Sequence, residues 1–140
     1  MQPECIKIKD KRKVFTAKEE GKVYTLYNNS RFKISKIQID GCVFKANTEK
    51  CDWMFSVEGD KAIFLELKGS DVEKGLSQLA TTYEKLKAEK EIKGCEIWFR
   101  LSVGEKNSVP RAVKTNSVYK WLFAISNDNI KIGKQLSDVV

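Results

Sequence analysis

The sequence predicts an α/β (α+β) fold in which a mixed central β-sheet carries one main helix. Three observations support this prediction: alternating segments separated by turn signals fill the first third of the chain, a β-hairpin pattern occupies the middle, and an amphipathic helical segment follows it. The 140 residues fit one domain, 1–140, because single domains commonly have about 100–200 residues. The hydrophobic content of 41% is sufficient for a buried core.

The first third of the chain predicts extra N-terminal β-strands. Apolar and polar residues alternate there in short segments, which glycine and asparagine turn signals separate. Asp40-Gly41, between two such segments, is a hairpin signal. The predicted strands are Cys5–Lys9, Lys13–Ala17, Lys22–Tyr27, Phe32–Ile39 and Cys42–Lys45.

The clearest pattern is a β-hairpin that joins Asp52–Val57 to Lys61–Lys68 through a turn at Gly59. The register that places Trp53 opposite Leu65 gathers the large apolar side chains on one face. A shift by one residue would mix charged and apolar side chains on both faces, which burial resists. The apolar pattern therefore selects this register.

Two carboxylates occupy the open end of the hairpin. In the selected register Asp52 stands opposite Glu66, where facing Cβ atoms lie about 4.5–5.5 Å apart and like charges are destabilising. A protonated carboxyl, water at the sheet end or a divalent cation would each offset the repulsion. Alternation places Lys68 on the face of Glu66, with Leu67 buried behind them. Asp52, Glu66 and the Leu67 backbone carbonyl suit Mg²⁺, and Lys68 is placed to orient or help deprotonate a water.

A helical segment is expected after the hairpin, from Asp71 to about Glu91. Ser70 and Glu73 form a capping box, and apolar residues recur behind it at helical spacing. Gly94 closes the segment. The remaining predicted elements are a strand Cys95–Ser102, a short helix Ser117–Ala124 and a last strand Ile130–Gly133.

Asp52, followed after thirteen residues by Glu66-Leu67-Lys68 and then a helix, resembles the PD-(D/E)xK nuclease superfamily, with its restriction-endonuclease-like (Holliday-junction-resolvase-like) fold. The resemblance covers a strand–strand–helix–strand region of residues 37–102. It implies that Asp52 and Glu66 bind Mg²⁺, with Mn²⁺ as a substitute, and that Lys68 assists the water that cleaves a phosphodiester bond. It also implies action on DNA more readily than on RNA, by a homodimer that engages both strands.

Further residues extend the candidate site. Gln78 matches part of a Gln-x-x-x-Tyr pattern found in some branches of the superfamily, although Tyr83 lies one residue too far along. Asp40 is a candidate additional metal ligand, and before Gly41 it is also a typical turn residue. Cys51 stands where the family has proline. The lysines expected to hold the phosphate backbone of a nucleic acid are Lys36, Lys45, Lys50 and Lys74.

Composition limits the chemistry. The absence of histidine excludes Ser-His-Asp and Cys-His nucleophile systems and histidine-based zinc sites. The net charge of +7 favours a polyanionic partner such as nucleic acid, although so lysine-rich a composition also fits an ordinary soluble surface. The four cysteines are widely spaced, no apolar run reaches membrane-spanning length, and the N-terminal sequence has no signal-peptide pattern. We therefore expect free thiols, a cytoplasmic location and no membrane partner.

Two other functions remain open from the sequence. A catalytically silent nuclease-fold module would bind nucleic acid or a partner protein without cleaving anything. Glu19 and Glu20 motivate this alternative, because they are poor candidates for the Glu that many members of the superfamily carry on a first helix. The other alternative is a β-rich protein-interaction domain, in which Glu66 and Lys68 form an ordinary surface ion pair at a strand end.

Overall fold

The fold contains nine strands, two α-helices and two short 3-10 helices (Pro3–Cys5 and Val113–Thr115) among the residues described. The structure, a computed structural model, describes residues 1–45, 50–69, 71–104 and 109–140, with the backbone alone at residues 68 and 69. The elements are β1 (Ile6–Asp10), β2 (Val14–Glu19), β3 (Lys22–Tyr27), β4 (Ile34–Gln38), β5 (Trp53–Val57), β6 (Lys61–Gly69), α1 (Val72–Leu86), β7 (Glu96–Val103), α2 (Ser117–Ser126), β8 (Ile130–Gly133) and β9 (Ser137–Val139).

A mixed sheet of six strands, in the order β1-β4-β5-β6-β7-β8, is the centre of the fold. Neighbours from β1 to β6 are antiparallel, whereas β6, β7 and β8 run parallel. Parallel neighbours need a crossover connection, and α1 and α2 provide the two crossovers. A second sheet of three strands has the order β2-β3-β9. The predicted α+β class with a mixed sheet is confirmed.

The large sheet buries both of its faces. Met54 and Phe64 belong to a core shared with α1 and α2, which we call the helix face. Phe55 and Ile63 belong to a second core, shared with the three-stranded sheet, which we call the small-sheet face. The Tyr24 ring of the small sheet, for example, lies 5.8 Å from the Phe55 ring. Alternate residues of β5 and β6 therefore enter different cores, as the two-residue period of a strand requires.

Helix α1 begins and ends differently from the prediction. Ser70, the expected cap, lies outside the described residues, and the Asp71 side chain caps the helix instead. The helix ends at Leu86 rather than near Glu91, because the following residues fold into turns that bury Ile92 in the helix-face core. The predicted short helix is confirmed as α2. Among the described residues, neither helix combines the length and apolar character that a bilayer crossing requires.

One predicted strand is absent from the structure, and one observed strand was not predicted. Cys42–Lys45 is not a strand, because Gly41 has a φ of 81° and the Cys42 N–H donates back to the Ile39 carbonyl, which closes a turn. The sequence does not predict β9, since three residues in a polar context carry no periodic signal. The extra N-terminal strands are confirmed, and β1 joins the edge of the large sheet.

The cysteines also depart from the prediction. Cys5 and Cys42 form a disulfide across a Cα–Cα distance of 5.5 Å, while Cys51 and Cys95 are free thiols. Pairing of β1 with β4 brings the residues before β1 next to the turn after β4, and sequence spacing does not reveal this proximity. The expectation of four free thiols is therefore wrong for two of them. The cytoplasmic location, which drew on that expectation, stays a prediction.

Candidate active site

The register of the β5–β6 hairpin is the one that the apolar pattern predicts. Trp53 pairs with Leu65, and Phe55 pairs with Ile63. The ladder ends at Trp53, and the Asp52 N–H donates to the Leu65 carbonyl at 3.1 Å. The prediction that this register brings together the residues beyond the ladder is confirmed. They meet at the open end of the hairpin, where the two strands reach one edge of the sheet.

Asp52 and Glu66, which we call the carboxylate pair, lie next to each other at this edge. The N–H of the Glu66–Leu67 peptide donates to Asp52 Oδ2 at 2.8 Å, which fixes the orientation of the Asp52 carboxylate. Asp52 is only 3% exposed and Glu66 is 0% exposed. Charges in such a setting interact far more strongly than charges in water. The structure therefore places the Asp52 carboxylate against the Glu66–Leu67 peptide and shows that Asp52 and Glu66 are both buried.

The pKa of the Cys51 thiol depends on burial and on the carboxylates at this edge. Burial of its thiol raises the pKa well above the ordinary range, and the negative charges of Glu66 and Asp52 raise it further. Because a low thiol pKa is what makes a cysteine nucleophilic, Cys51 is a packing residue and not a reactive one. The carboxylates of Glu66 and Asp52 therefore act on the same buried group at this edge.

Hydrogen bonds from two other elements hold the backbone of Cys51 and Asp52 in place. The N–H groups of Ile39 and Asp40 lie 3.1 and 3.4 Å from the Asp52 carbonyl, to which both donate. The Cys51 N–H donates to Thr82 Oγ1 of α1 at 2.8 Å. Thr82 has no place in the sequence prediction, because a threonine in mid-helix carries no signal for a distant backbone partner. The end of β4 and the middle of α1 thus converge on the start of β5.

Gln78 and Lys74 follow one another along α1, toward its N-terminus from Thr82. The Gln78 carbonyl accepts the Thr82 hydroxyl at 2.8 Å, and Gln78 is half-buried. Lys74 lies one further turn along and is exposed. Residues four apart share a helix face, so these two side chains and Thr82 form one row on α1.

Asp40 and Lys50, predicted for different roles, contact each other. Lys50 Nζ lies 3.8 Å from Asp40 Oδ1, with the Asp40 side chain 34% exposed. Lys45 is exposed in the same part of the chain. The structure therefore places a lysine and a third carboxylate at the edge that carries the carboxylate pair.

Lys36 lies away from the pair. It is opposite Phe55 in the β4–β5 ladder, so its side chain is on the small-sheet face. Its Nζ lies 4.5 Å from the centre of the Trp53 ring. Burial lowers the pKa of Lys36, and the Arg12 charge lowers it further. The sheet thus separates Lys36 from the carboxylate pair, contrary to its grouping with the other phosphate-binding lysines.

Lys68 belongs to β6, but its side chain lies outside the part of the chain that the structure describes. The β6–β7 ladder is irregular between Glu66 and Gly69. Within the described ranges, no three or more acidic or cysteine side chains cluster as a ready metal site. The donors that the hairpin brings together are two carboxylates and the Leu67 backbone.

A second buried charged cluster lies on the small-sheet face, and the sequence prediction missed it. Arg100 donates through Nε to Asp138 Oδ2 at 2.6 Å and through Nη2 to Oδ1 at 3.1 Å. Asp138 also accepts from the Tyr24 hydroxyl at 2.8 Å and from Lys131 Nζ at 3.0 Å. Arg100 stands out in the sequence as a charged residue within the apolar segment of β7. Its partner Asp138 lies 38 positions away, so the sequence does not indicate the pair.

Comparison with known proteins gives no match: no family model matches the chain, and neither do curated proteins or solved structures. The function is therefore inferred from the chain's own geometry. Its central features are two buried carboxylates on adjacent strands and a helix row beside them.

Proposed function

We propose that this protein is a Mg²⁺-dependent nuclease that hydrolyses phosphodiester bonds, in DNA more readily than in RNA. The observation that carries the proposal is the carboxylate pair, with the Glu66–Leu67 peptide N–H bonded to Asp52 at 2.8 Å. The resemblance to the PD-(D/E)xK superfamily assigns this pair to metal binding and Lys68 to the water. The order β5–β6–α1–β7 agrees with the strand–strand–helix–strand order of that resemblance and supports a restriction-endonuclease-like fold.

The donor chemistry fits a hard divalent cation. Carboxylate and carbonyl oxygens are the protein ligands of Mg²⁺, and the pair supplies two carboxylates. The N–H and carbonyl of one strand residue point to the same side, so the Leu67 carbonyl is directed toward the Asp52 side, as its N–H is. The hydrogen bond from Leu67 orients Asp52 as an outer partner orients a metal ligand. A bound Mg²⁺ supplies Lewis-acid polarisation and a more acidic water.

The remaining chemistry belongs to side chains of the chain itself. Lys68 would stabilise charge that develops on the phosphorus oxygens, or would hold the attacking water. Lys45, Lys50 and Lys74 would contact phosphates around the pair, which fits their positions at this edge and on α1. Phosphate contacts position a nucleic acid without reading its sequence. A homodimer would let two such sites address both strands of a duplex.

Cleavage assays on the Asp52→Asn and Glu66→Gln variants test this proposal. Each removes one negative charge at nearly constant shape, so we expect Mg²⁺-dependent cleavage of plasmid DNA to fall by about 100-fold or more. Asp60→Asn is the matched control, because Asp60 is an exposed carboxylate of the same hairpin. Mg²⁺ binding by calorimetry provides a second readout. Equal activity in Asp52→Asn, Asp60→Asn and the unaltered chain would refute the assigned site.

Burial of the pair supports a second candidate function. With Asp52 at 3% and Glu66 at 0% exposure, a catalytically silent module that binds nucleic acid or a partner protein is the alternative. Such a module would bind DNA with an affinity that decreases as salt rises, yet Mg²⁺ and Mn²⁺ would not change that binding. Metal-dependent DNA affinity that disappears in Glu66→Gln would favour the nuclease over the module.

A further inference from the structure

A basic cavity lies on the helix face of the large sheet, at the turn end of the hairpin. Its volume of about 610 Å³ falls within the roughly 300–1,000 Å³ common for small-molecule sites. Residues of β1, β4 and β5 and of the segment after α1 line it. Four of the lining residues are lysines: Lys9, Lys33, Lys90 and Lys93.

Strand pairing organises the floor of this cavity. Ser35 is opposite Ser56 across β4 and β5, and opposite Lys9 across β4 and β1. Opposed residues share a face with Cβ atoms about 4.5–5.5 Å apart, so two hydroxyls and one ammonium form a row. The next pair along, Ile37 with Ile6, is apolar. The floor thus combines a polar row with an apolar row.

The charges in the cavity favour an anion that also carries a hydrogen-bond donor. Four lysines face two carboxylates, Glu58 and Glu91. Glu91 Oε1 accepts from the Met1 amino group at 3.4 Å. Its other oxygen, Oε2, is buried and has no hydrogen-bond partner among the described residues. Glu91 is thus already paired with Met1, whereas Glu58 is exposed and lines the cavity, so the Glu58 carboxylate can accept a hydrogen bond from a donor group on a ligand.

We propose that this cavity binds a nucleoside phosphate. The phosphate contacts the lysines, the base packs on Pro3 and Ile6, and an N–H of the base donates to the Glu58 carboxylate. The carboxylate pair takes no part in this binding: Ser56 is four residues from Asp52 along the same strand, which is about 13 Å. The proposal therefore goes beyond the proposed cleavage and does not depend on it. The nucleoside phosphate is either free or one unit of a nucleic-acid chain.

Titration of the full chain with 5′-AMP, without metal and followed by NMR chemical shifts, tests the proposal. Adenosine lacks the phosphate, whereas inorganic phosphate and ribose 5-phosphate lack the base. We expect each of these three to bind at least about tenfold more weakly than 5′-AMP, since each gives up one of the two contact types. Absence of 5′-AMP binding at millimolar concentration would overturn the proposal, as would equal affinity for ribose 5-phosphate.

Matched double variants assign the binding to this cavity. Lys9→Gln with Lys33→Gln removes two lining charges, and we expect about tenfold weaker 5′-AMP binding. Lys18→Gln with Lys120→Gln removes two exposed lysines that do not line the cavity and should leave the affinity unchanged. Equal affinities in the two double variants would overturn the assignment. Circular dichroism checks that both variants are folded.

A short oligonucleotide distinguishes the two sources of the ligand. If the trinucleotide pApApA, titrated in EDTA, binds more tightly than 5′-AMP and shifts the same resonances, the unit belongs to a nucleic acid. If it binds more weakly there, the free nucleotide is the ligand. Both results support the cavity as the site, whereas shifts confined to other residues contradict it. Failure of the Asp52→Asn cleavage experiment would leave all of these results unchanged.

Discussion

The two faces of the large sheet carry different arrangements of buried charge. On the small-sheet face the buried Asp138 meets an arginine, a lysine and a tyrosine hydroxyl, each within 3.1 Å. On the helix face the hairpin register brings Asp52 and Glu66, two groups of like charge, to one edge. Removing one partner of a buried pair of opposite charges is strongly destabilising, whereas two carboxylates on opposed strands repel each other. The comparison is therefore between a cluster of opposite charges and a pair of carboxylates to which we assign a function only as a proposal.

The largest expected effect is on the structural cluster. Asp138→Asn leaves Arg100, which is only 1% exposed, without its carboxylate, and breaking a buried pair in this way costs about 3–5 kcal/mol of unfolding free energy. Urea unfolding measures this loss of unfolding free energy. Asp10→Asn, which breaks the exposed Asp10–Arg12 pair, is the control and should cost at most about 1 kcal/mol. Equal losses in the two variants would remove the distinction between buried and exposed pairs.

Acid is expected to weaken the same cluster by a smaller amount. Burial raises the pKa of Asp138, but hydrogen bonds and charge from Arg100, with Lys131 and Tyr24, outweigh burial and hold the pKa below its ordinary value of 3.8. A lowered pKa contributes stability that is complete above the unfolded-state value and is lost as pH falls through the folded-state value. Protonation leaves the oxygens in place as acceptors, so the loss is smaller than that of the substitution.

The measurement is thermal unfolding from pH 7 to pH 2.5, with Asp138→Asn followed in parallel. The difference in unfolding temperature between the unaltered chain and the variant should stay constant above pH 5 and become smaller below about pH 4. A difference that stays constant through the whole range would contradict the pKa direction given for Asp138.

The smallest expected effect on stability is at the carboxylate pair. Glu66→Gln keeps the shape of the side chain and removes one of two like charges on opposed strands, so we expect the free energy of unfolding to change by at most about 1 kcal/mol in either direction. Urea unfolding of this variant, beside Asp138→Asn, compares the two faces. A loss above about 2 kcal/mol in Glu66→Gln would assign Glu66 a structural role and remove the contrast between the faces.

Sequence reasoning succeeded where the chain's information is local. The alternation around Gly59 fixes the hairpin register, because a shift of one residue in the strand pairing would turn apolar side chains such as Trp53 or Leu65 to the opposite face of the sheet. It failed where partners are distant: nothing near Cys5 indicates Cys42, and nothing near Arg100 indicates Asp138. The carboxylate pair was predictable because both members belong to one hairpin. Thr82 and the basic cavity depend on how α1 and the segment after it pack.

The Tyr24–Asp138 hydrogen bond also has a consequence for synthesis of the chain. Its two residues are separated by 114 positions, which ribosomes translating at about 5–20 residues per second cover in roughly 6 to 23 s. During that interval β3 lacks its parallel neighbour β9, and Asp138 is not available to Tyr24 or Arg100. The unpaired edge of β3 is then open to pairing with another chain. The nascent chain is therefore expected to be most vulnerable to aggregation before β9 emerges.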